Sequence, residues 1–228
     1  FSRVLNDKTI ATNKSVKSCW TGIQPLVIDP KSDKEYASLI SKNHIIEVKT
    51  NMITISGGKW SIFRKMGEDT ANVVETVIGS EIQKRDNTFE PYGCTECTPE
   101  IFLTLVEKYD NYPDVAQYLC KIYGTAALDL QRSSNKPLTR LLLSYPYTEE
   151  EVTYICKNDY VCTLEDIVAR RMRIAFIDAH ETETILDRVA AIAGSVLCWS
   201  SDKINEEKLK CKKFLNEEMG LSINEEKY

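Results

Sequence analysis

The sequence predicts an α+β protein in which a strand-rich segment with one helix precedes an all-helical domain. Residues 1–57 are rich in β-branched and aromatic residues between polar turns, as strands with one buried face are. From residue 60 onward, apolar residues recur every three or four positions, which places them on one face of a helix. We therefore expect two domains, over residues 1–80 and 81–228.

The strand-rich segment contains one long extended stretch and one hairpin. Residues 15–29 are predicted to form a strand that ends at Pro30. Residues 44–48 and 52–55 are apolar runs on either side of a polar reversal at 49–51, which is typical of a β-hairpin. His44, at the start of this hairpin, is interpreted as a solvated strand histidine.

Capping residues mark the predicted helices. The first helix covers residues 60–77 and ends before Gly79, since glycine commonly terminates helices. Thr148 with Glu151, and Thr163 with Asp166, fit the capping box that opens a helix. The other predicted helices cover residues 101–109, 114–123, 152–155, 167–177, 185–197 and 204–219.

Composition argues against several classes of protein. The chain carries 29 Lys and Arg against 34 Asp and Glu, a formal charge of −5. This balance argues against non-specific nucleic-acid binding, which needs a basic face to neutralise phosphates. No run of about 18 apolar residues predicts a transmembrane helix. The sequence starts at Phe1 without Met, so we interpret its start as internal to a longer protein, with any targeting segment upstream.

Eight cysteines are scattered along the chain, most of them within apolar helical patterns. This distribution predicts reduced thiols rather than a disulfide scaffold, whose cysteines are denser and lie in loops. Cys94 and Cys97 form a single C-x-x-C pair without a second pair or a nearby histidine. A zinc site needs four ligands, so we predict no metal site.

The junction at residues 53–61 is the feature most informative about chemistry. A strand expected to be buried leads into Gly57 and Gly58 and then directly into a helix. Adjacent glycines allow the backbone to approach a ligand closely, and the first amides of a helix are unpaired donors that favour negative charge. Lys59 adds a positive charge at the same point. The pattern predicts a site for an anion, or for a ring whose oxygens gain charge.

The surrounding residues resemble one enzyme family. The run ITISGGKWSIFRKMGEDT (53–70) resembles the turn of FAD-dependent, mitochondrial-type glycerol-3-phosphate dehydrogenases, where a strand leads into GGKWTTYR-MAEDT. CWTGIQPLV (19–27) resembles the family's AWxGxRPLV segment, and ISKNHII (40–46) resembles its ISRNHVV segment. Further similar segments follow in the family's order, so that the resemblance covers almost the whole chain. They lie at residues 123–124, 147–154, 162–163, 170–176 and 214–220.

The resemblance implies a fold and an activity. Residues 1–80 would be the C-terminal end of an amino-acid-oxidase-like FAD domain, and residues 81–228 its helical C-terminal domain. FAD would accept a hydride from glycerol 3-phosphate, yielding dihydroxyacetone phosphate, with electrons passed to a membrane quinone. Peripheral association with the mitochondrial inner membrane is implied, and a homodimer is left open.

The resemblance also implies roles for individual residues. Gly57, Gly58, Lys59, Trp60 and Ser61 would face the flavin ring as cofactor-binding residues. Lys59 would be catalytic, contacting substrate or flavin oxygens.

Substrate would be bound by Lys59 and Ser61 together with Lys42 and Gln24. Gln24 stands where the family has arginine, so that bidentate phosphate binding would be lost there. Lys42 also stands where arginine is usual, and it keeps the charge but not the planar fork. Ser61 keeps the hydroxyl of the family's threonine, whereas Ile62 does not.

Two alternatives remain open. The enzyme could be a glycerol-3-phosphate oxidase that passes electrons to O₂, or residues 81–228 could be a non-catalytic helical module for partner or membrane docking. No G-x-G-x-x-G turn occurs in the chain. Because that turn binds the FAD pyrophosphate, we expect the pyrophosphate site in a preceding part of the protein and predict that these residues alone are inactive.

Overall fold

The computed structural model describes residues 15–28, 40–41, 43–80, 92–93, 98–132, 134 and 137–224. The chain divides into two compact units. One comprises Gly22–Phe89, and the other comprises Phe1–Thr21 together with Glu90–Tyr228. The boundary expected between residues 80 and 81 borders a segment outside the described residues, and it stays a prediction.

The Gly22–Phe89 unit contains two antiparallel strand pairs. Strand β1 (Val27–Ile28) pairs with β2 (Ile40–Ser41), and β3 (His44–Lys49) pairs with β4 (Met52–Gly57). The β3–β4 hairpin closes with Lys49 opposite Met52, around Thr50 in the left-handed region at φ 52°. The hairpin prediction is confirmed.

The long strand predicted at residues 15–29 is wrong for the described part of that range. Residues 16–26 form no regular element, and only Val27–Ile28 pairs with another strand. The reason is tertiary, because backbone groups of Lys17 and Cys19 bond to the helical unit instead of to a neighbouring strand.

Helix α1 (Phe63–Ile78) follows one 3₁₀ turn at Trp60–Ile62 and ends at Gly79, as predicted. Gly79 takes the left-handed conformation at φ 71°, and the following amide of Ser80 donates to the Glu75 carbonyl. This bond is typical of a glycine-terminated helix. Among the described residues of this unit, no apolar side chain is fully buried.

The second unit is helical. Its α-helices are α2 (Pro99–Leu103), α3 (Pro113–Tyr123), α4 (Ala127–Arg132), α5 (Glu149–Asn158), α6 (Ile174–Ile177), α7 (Ala179–Val196) and α8 (Ser201–Glu218). One core cluster packs α5, α7 and α8 around Val152, Leu186 and Leu215, and a second packs α2 to α4 around Leu105 and Leu119. These side chains are fully buried, so the unit contains a hydrophobic core of its own.

Two predicted helices are divided in the structure. The helix predicted at 101–109 is the short α2 followed by a π-helical segment, Thr104–Lys108. The helix predicted at 167–177 is a π-helical segment, Asp166–Arg171, separated from α6 by Arg173 at φ 64°. A left-handed residue interrupts the hydrogen-bonded series of a right-handed helix, which explains the break.

Three helices begin at side chains that cap them. Thr148 Oγ1 accepts from the Glu151 amide at 3.2 Å, Asp178 Oδ1 accepts from the Glu181 amide at 3.1 Å, and the hydroxyl of Ser200 caps α8. Satisfying these amides stabilises a helix start, typically by about 1 kcal/mol per cap.

Cysteine usage differs from the prediction at one position. Cys120 is disulfide-bonded, so the prediction of reduced thiols is wrong there. Five other cysteines are free: Cys19, Cys156, Cys162, Cys198 and Cys211. Cys94 and Cys97 lie outside the described residues.

Candidate active site

Strand β4 leads through Gly57 and Gly58 into the helical turn at Trp60–Ile62, with Lys59 extended between them at φ −138° and ψ 148°. The predicted strand-to-helix junction is therefore present. The strand was expected to be buried, and this is wrong, because only Ile53 of β4 is even half-buried. Within the described residues β4 pairs with β3 alone, which leaves its other edge open.

Both glycines are required by the geometry of the turn. Gly57 and Gly58 have φ values of 74° and 82°, in a backbone region that residues with a Cβ rarely adopt. A Cβ on Gly58 would lie 2.7 Å from Met66 Sδ, and a Cβ on Gly57 would lie 2.5 Å from Val27 Cγ2. The turn thus brings bare backbone into contact with α1 and with β1.

Amide donors are concentrated where this turn meets the helix. The Ile62 amide donates to the Lys59 carbonyl at 3.0 Å, which closes the first turn. The amides that precede it, of Trp60 and Ser61, have no partner within the helix by its geometry. Lys59 is exposed and forms no ion pair with any described residue. Two amide donors and one cation therefore lie together at the start of the helix.

A pocket of about 690 Å³ opens beside the turn. Its floor is the exposed face of α1, and Lys59 supplies the charge at its edge. Trp60 and Phe63 are 91% and 61% exposed, with their ring centroids 6.3 Å apart. The lining residues are Ile55, Gly57, Gly58, Lys59, Trp60, Phe63, Met66, Gly67, Thr70, Ala71 and Val74. An apolar cleft with a few convergent polar groups is the usual form of a cofactor site.

Beneath the turn, His44 is paired with an acidic residue of α1. Its Nε2 lies 3.1 Å from Asp69 Oδ2, and Asp69 also pairs with Lys65 at 2.9 Å. Hydrogen bonding from Lys65 lowers the pKa of the Asp69 carboxyl. Since the His44 side chain is only 13% exposed, its interpretation as a solvated histidine is wrong. The hairpin register, which sets His44 opposite Gly57, is the sequence signal that could have located it.

The structure gathers five of the residues predicted for the site. Gly57, Gly58, Lys59, Trp60 and Ser61 form the turn, and all except Ser61 line the pocket.

The structure does not bring Gln24, another predicted residue, to the turn. Gln24 is exposed and does not line the pocket, and Lys42 lies outside the described residues. Ile62 is half-buried at the end of the turn. No group of metal-binding side chains occurs in the described part of the chain.

A sequence profile of the C-terminal domain of alpha-glycerophosphate oxidase matches residues 48–204, well over half of the chain and including the whole turn. The chain belongs to this family. The resemblance to glycerol-3-phosphate dehydrogenases drawn from the motifs is confirmed by the relatives that follow.

Curated proteins similar to this chain are named as mitochondrial glycerol-3-phosphate dehydrogenases. "Glycerol-3-phosphate dehydrogenase, mitochondrial" of Macaca fascicularis is 35% identical over 220 residues, covering 92% of this chain and 30% of the relative. The "probable glycerol-3-phosphate dehydrogenase, mitochondrial" of Dictyostelium discoideum is 36% identical over 214 residues, covering 84% and 32%. The chain thus spans about three tenths of the length of these relatives.

Proposed function

We propose that this chain is the C-terminal part of a flavoprotein that oxidises sn-glycerol 3-phosphate to dihydroxyacetone phosphate and passes the electrons to a quinone. The observation that carries the proposal is the turn at Gly57, Gly58 and Lys59 beside its apolar pocket. The names of the relatives support the substrate, and their length supports a larger protein.

The residues of the turn fit one edge of FAD. Positive-φ glycines leave backbone amides open to a flat ring, and the apolar lining can cover the ring face. FAD supplies the redox chemistry, since its ring can take up a hydride. Residues 1–228 contain no G-x-G-x-x-G turn that could bind the FAD pyrophosphate. We therefore expect another part of the protein to bind that group.

The chain's own residues would act by binding and by electrostatics. Lys59 and the amides of Trp60 and Ser61 would hold an oxygen that gains negative charge, because donors aimed at developing charge stabilise it most in a water-excluded site. Trp60 and Phe63 would exclude water from that oxygen. Gln24, Lys42 and Ser61 would hydrogen-bond substrate oxygens.

The same proposal places the protein at the mitochondrial inner membrane as a peripheral protein. The names of its relatives support the mitochondrial location alone. Within the described residues, no helix combines the length and apolarity needed to cross a bilayer. Residues 1–228 alone are proposed neither to retain FAD nor to turn over. A yellow purified chain with flavin absorbance would contradict this.

The proposal is tested by replacing Lys59 in the full-length protein. Anaerobic glycerol 3-phosphate should bleach the wild-type flavin, and Lys59→Met should slow this step by roughly 100-fold or more, the usual cost of losing one such stabilising group. Lys213→Met is the matched control, because Lys213 is exposed on α8 and pairs only loosely with Glu217 at 3.9 Å. Flavin reduction in the Lys59→Met variant at the wild-type rate would contradict the proposed role of Lys59.

Two other functions are tested in parallel. Because the matching profile describes an oxidase, O₂ could be the acceptor, and oxygen consumption measured against quinone reduction decides between them. Because the helical unit has its own core, it could instead be a docking module without a catalytic role. Deleting residues 90–228 should then abolish membrane association while leaving flavin reduction intact.

A further inference from the structure

His44 and Asp69 form a pair that joins the two elements on either side of the turn. His44 begins β3 and lies opposite Gly57, the last residue of β4, whereas Asp69 lies in the second turn of α1. The two side chains meet at 3.1 Å, between His44 Nε2 and Asp69 Oδ2. The pair therefore connects the end of the hairpin to the helix that follows the turn.

Gly58 packs against the same two elements. A Cβ on Gly58 would lie 2.7 Å from Met66 Sδ and 3.2 Å from His44 Cβ. Met66 precedes Asp69 by three residues on α1, so the two side chains are neighbours on the surface of the helix. The positions of β3 and α1 thus set where Gly58 lies, and the pair fixes those positions at this point.

Hydrogen bonding fixes the direction of the contact. Asp69 Oδ1 lies 2.9 Å from Lys65 Nζ, and hydrogen bonding from Lys65 lowers the pKa of the Asp69 carboxyl. An ionised carboxylate can only accept hydrogen bonds, so His44 Nε2 is the donor. The other ring nitrogen, Nδ1, is buried without a partner among the described residues. The bond from Nε2 is therefore the polar contact that orients the ring.

We propose that His44 and Asp69 are positioning residues for the candidate site, and that their hydrogen bond holds the turn in the conformation that presents its amide donors. The inference rests on the proposed function, because it takes the amides of Trp60 and Ser61 as donors to an oxygen that gains negative charge. Stabilisation by such donors depends on their placement, and an error of about 1 Å can cost roughly 100-fold in rate. Neither His44 nor Asp69 lines the pocket, so both act through the turn.

The test uses the full-length, flavin-loaded protein with His44→Leu, Asp69→Leu or His44→Gln. Each leucine removes the hydrogen bond, whereas the side-chain amide of glutamine can replace Nε2 as donor and lacks only the unpartnered Nδ1. The limiting rate of anaerobic flavin reduction by glycerol 3-phosphate should fall roughly tenfold to 100-fold in both leucine variants. His44→Gln should stay within about threefold of wild type.

Glu47→Gln is the matched control. Glu47 also lies on β3, and it pairs only loosely with Lys49 at 3.8 Å. Its replacement should leave the rate of flavin reduction unchanged. The double variant His44→Leu with Asp69→Leu should lose no more than either single variant, because both substitutions remove the same bond.

Two further readouts do not depend on activity. The Ile62 amide, bonded to the Lys59 carbonyl at 3.0 Å, closes the first helical turn after the glycines. Its hydrogen exchange should speed up in both leucine variants and stay unchanged in His44→Gln. The visible circular dichroism of the bound flavin should change in the same two variants, since it reports on the surroundings of the ring.

The inference is overturned if the leucine variants reduce flavin at the wild-type rate, if exchange of the Ile62 amide does not change, or if His44→Gln loses as much as His44→Leu. Should His44→Leu fail to fold, Asp69→Leu decides the question, because the Asp69 side chain is 29% exposed and easier to replace. If wild-type flavin is not reduced by glycerol 3-phosphate, the proposed function fails and the inference fails with it. Normal reduction in wild type and in both leucine variants is a failure of the inference alone.

Discussion

The hydroxyl of Tyr118 donates a 2.7 Å hydrogen bond to Oε1 of Glu151, a carboxyl with no solvent exposure at the start of α5. Tyr123 donates to the same oxygen at 2.8 Å, whereas Oε2 is buried without a hydrogen-bond partner among the described residues. Both tyrosines lie on α3, so the buried acid connects two helices. Burial raises the pKa of Glu151 to about 7, against the opposing effect of the two tyrosine hydroxyls.

This pKa predicts that the stability of the helical unit depends on pH. The folded state binds a proton more tightly than the unfolded state, whose carboxyl titrates near 4.5. The resulting stability is present in full below pH 4.5 and is lost as pH rises through about 7. The loss is roughly 3 kcal/mol at about 1.4 kcal/mol per pKa unit. Denaturant unfolding followed by circular dichroism between pH 5 and 8 measures it.

Replacing the acid isolates its contribution. Glu151→Gln keeps an oxygen that can accept from Tyr118 and removes the buried titration, so the fall in unfolding free energy between pH 5 and 8 should largely disappear. Glu217→Gln, at an exposed position of α8, is the control and should leave the pH profile unchanged. An unaltered profile in Glu151→Gln would mean that another group causes the dependence.

Gly58→Ala is expected to damage the candidate site. The left-handed conformation costs a residue with a Cβ about 1–2 kcal/mol, and the new Cβ would press on Met66. We expect the full-length protein to lose bound flavin on gel filtration. Gly22→Ala is the matched control, because a Cβ there meets no atom within 4 Å and Gly22 does not line the pocket. Equal flavin retention by the two variants would contradict the role of the turn.

Gln24→Arg should strengthen substrate binding if Gln24 faces the substrate phosphate. Arginine brings a full charge and a planar pair of donors that match phosphate, whereas glutamine offers only an uncharged donor. The KM for glycerol 3-phosphate should fall severalfold in the full-length protein, with kcat little changed. Gln24→Lys separates charge from geometry, since it restores only the charge. Equal KM values for Gln24→Arg and wild type would remove Gln24 from the site.

The contact between α7 and α8 depends on a small residue. A Cβ at Gly194 would lie 2.4 Å from Ile204 Cδ1, so alanine must displace a packed side chain. Overpacking costs about 1–3 kcal/mol against about 1 kcal/mol gained in helix propensity, and we expect a net loss near 1 kcal/mol. Ile204→Val removes the closer clash, with Cδ1, but keeps Cγ1 at 2.8 Å, so it should recover part of the loss in the double variant. Thermal unfolding of the three variants measures this coupling, and purely additive effects would exclude it.

Much of the candidate site was predictable because its determinants are local. The sequence places two glycines between a strand pattern and a helix pattern, which indicates positive φ values in the turn. The register of the β3–β4 hairpin follows from its two-residue reversal. His44 was missed because its burial arises from Asp69 on α1, which no local pattern indicates. Glu151 shows the same limit. Its amide bonds to Thr148 as the capping box predicts, yet its carboxyl turns inward to tyrosines of another helix.

The order of the helices, the glycine stops and the turn at Gly57 and Gly58 follow from local sequence, since each depends on hydrogen bonds or periodicity within a few residues. The course of residues 15–26 instead depends on contacts between distant parts of the chain. Ser18 contacts the Met219 carbonyl across 201 positions, and such contacts overrode the β-branched and aromatic pattern that predicted a strand. Helix ends leave unpaired backbone groups, and whichever segment folding brings beside them can satisfy those groups in place of a strand partner. The course of residues 17–20 is therefore a property of the fold and not of their local sequence.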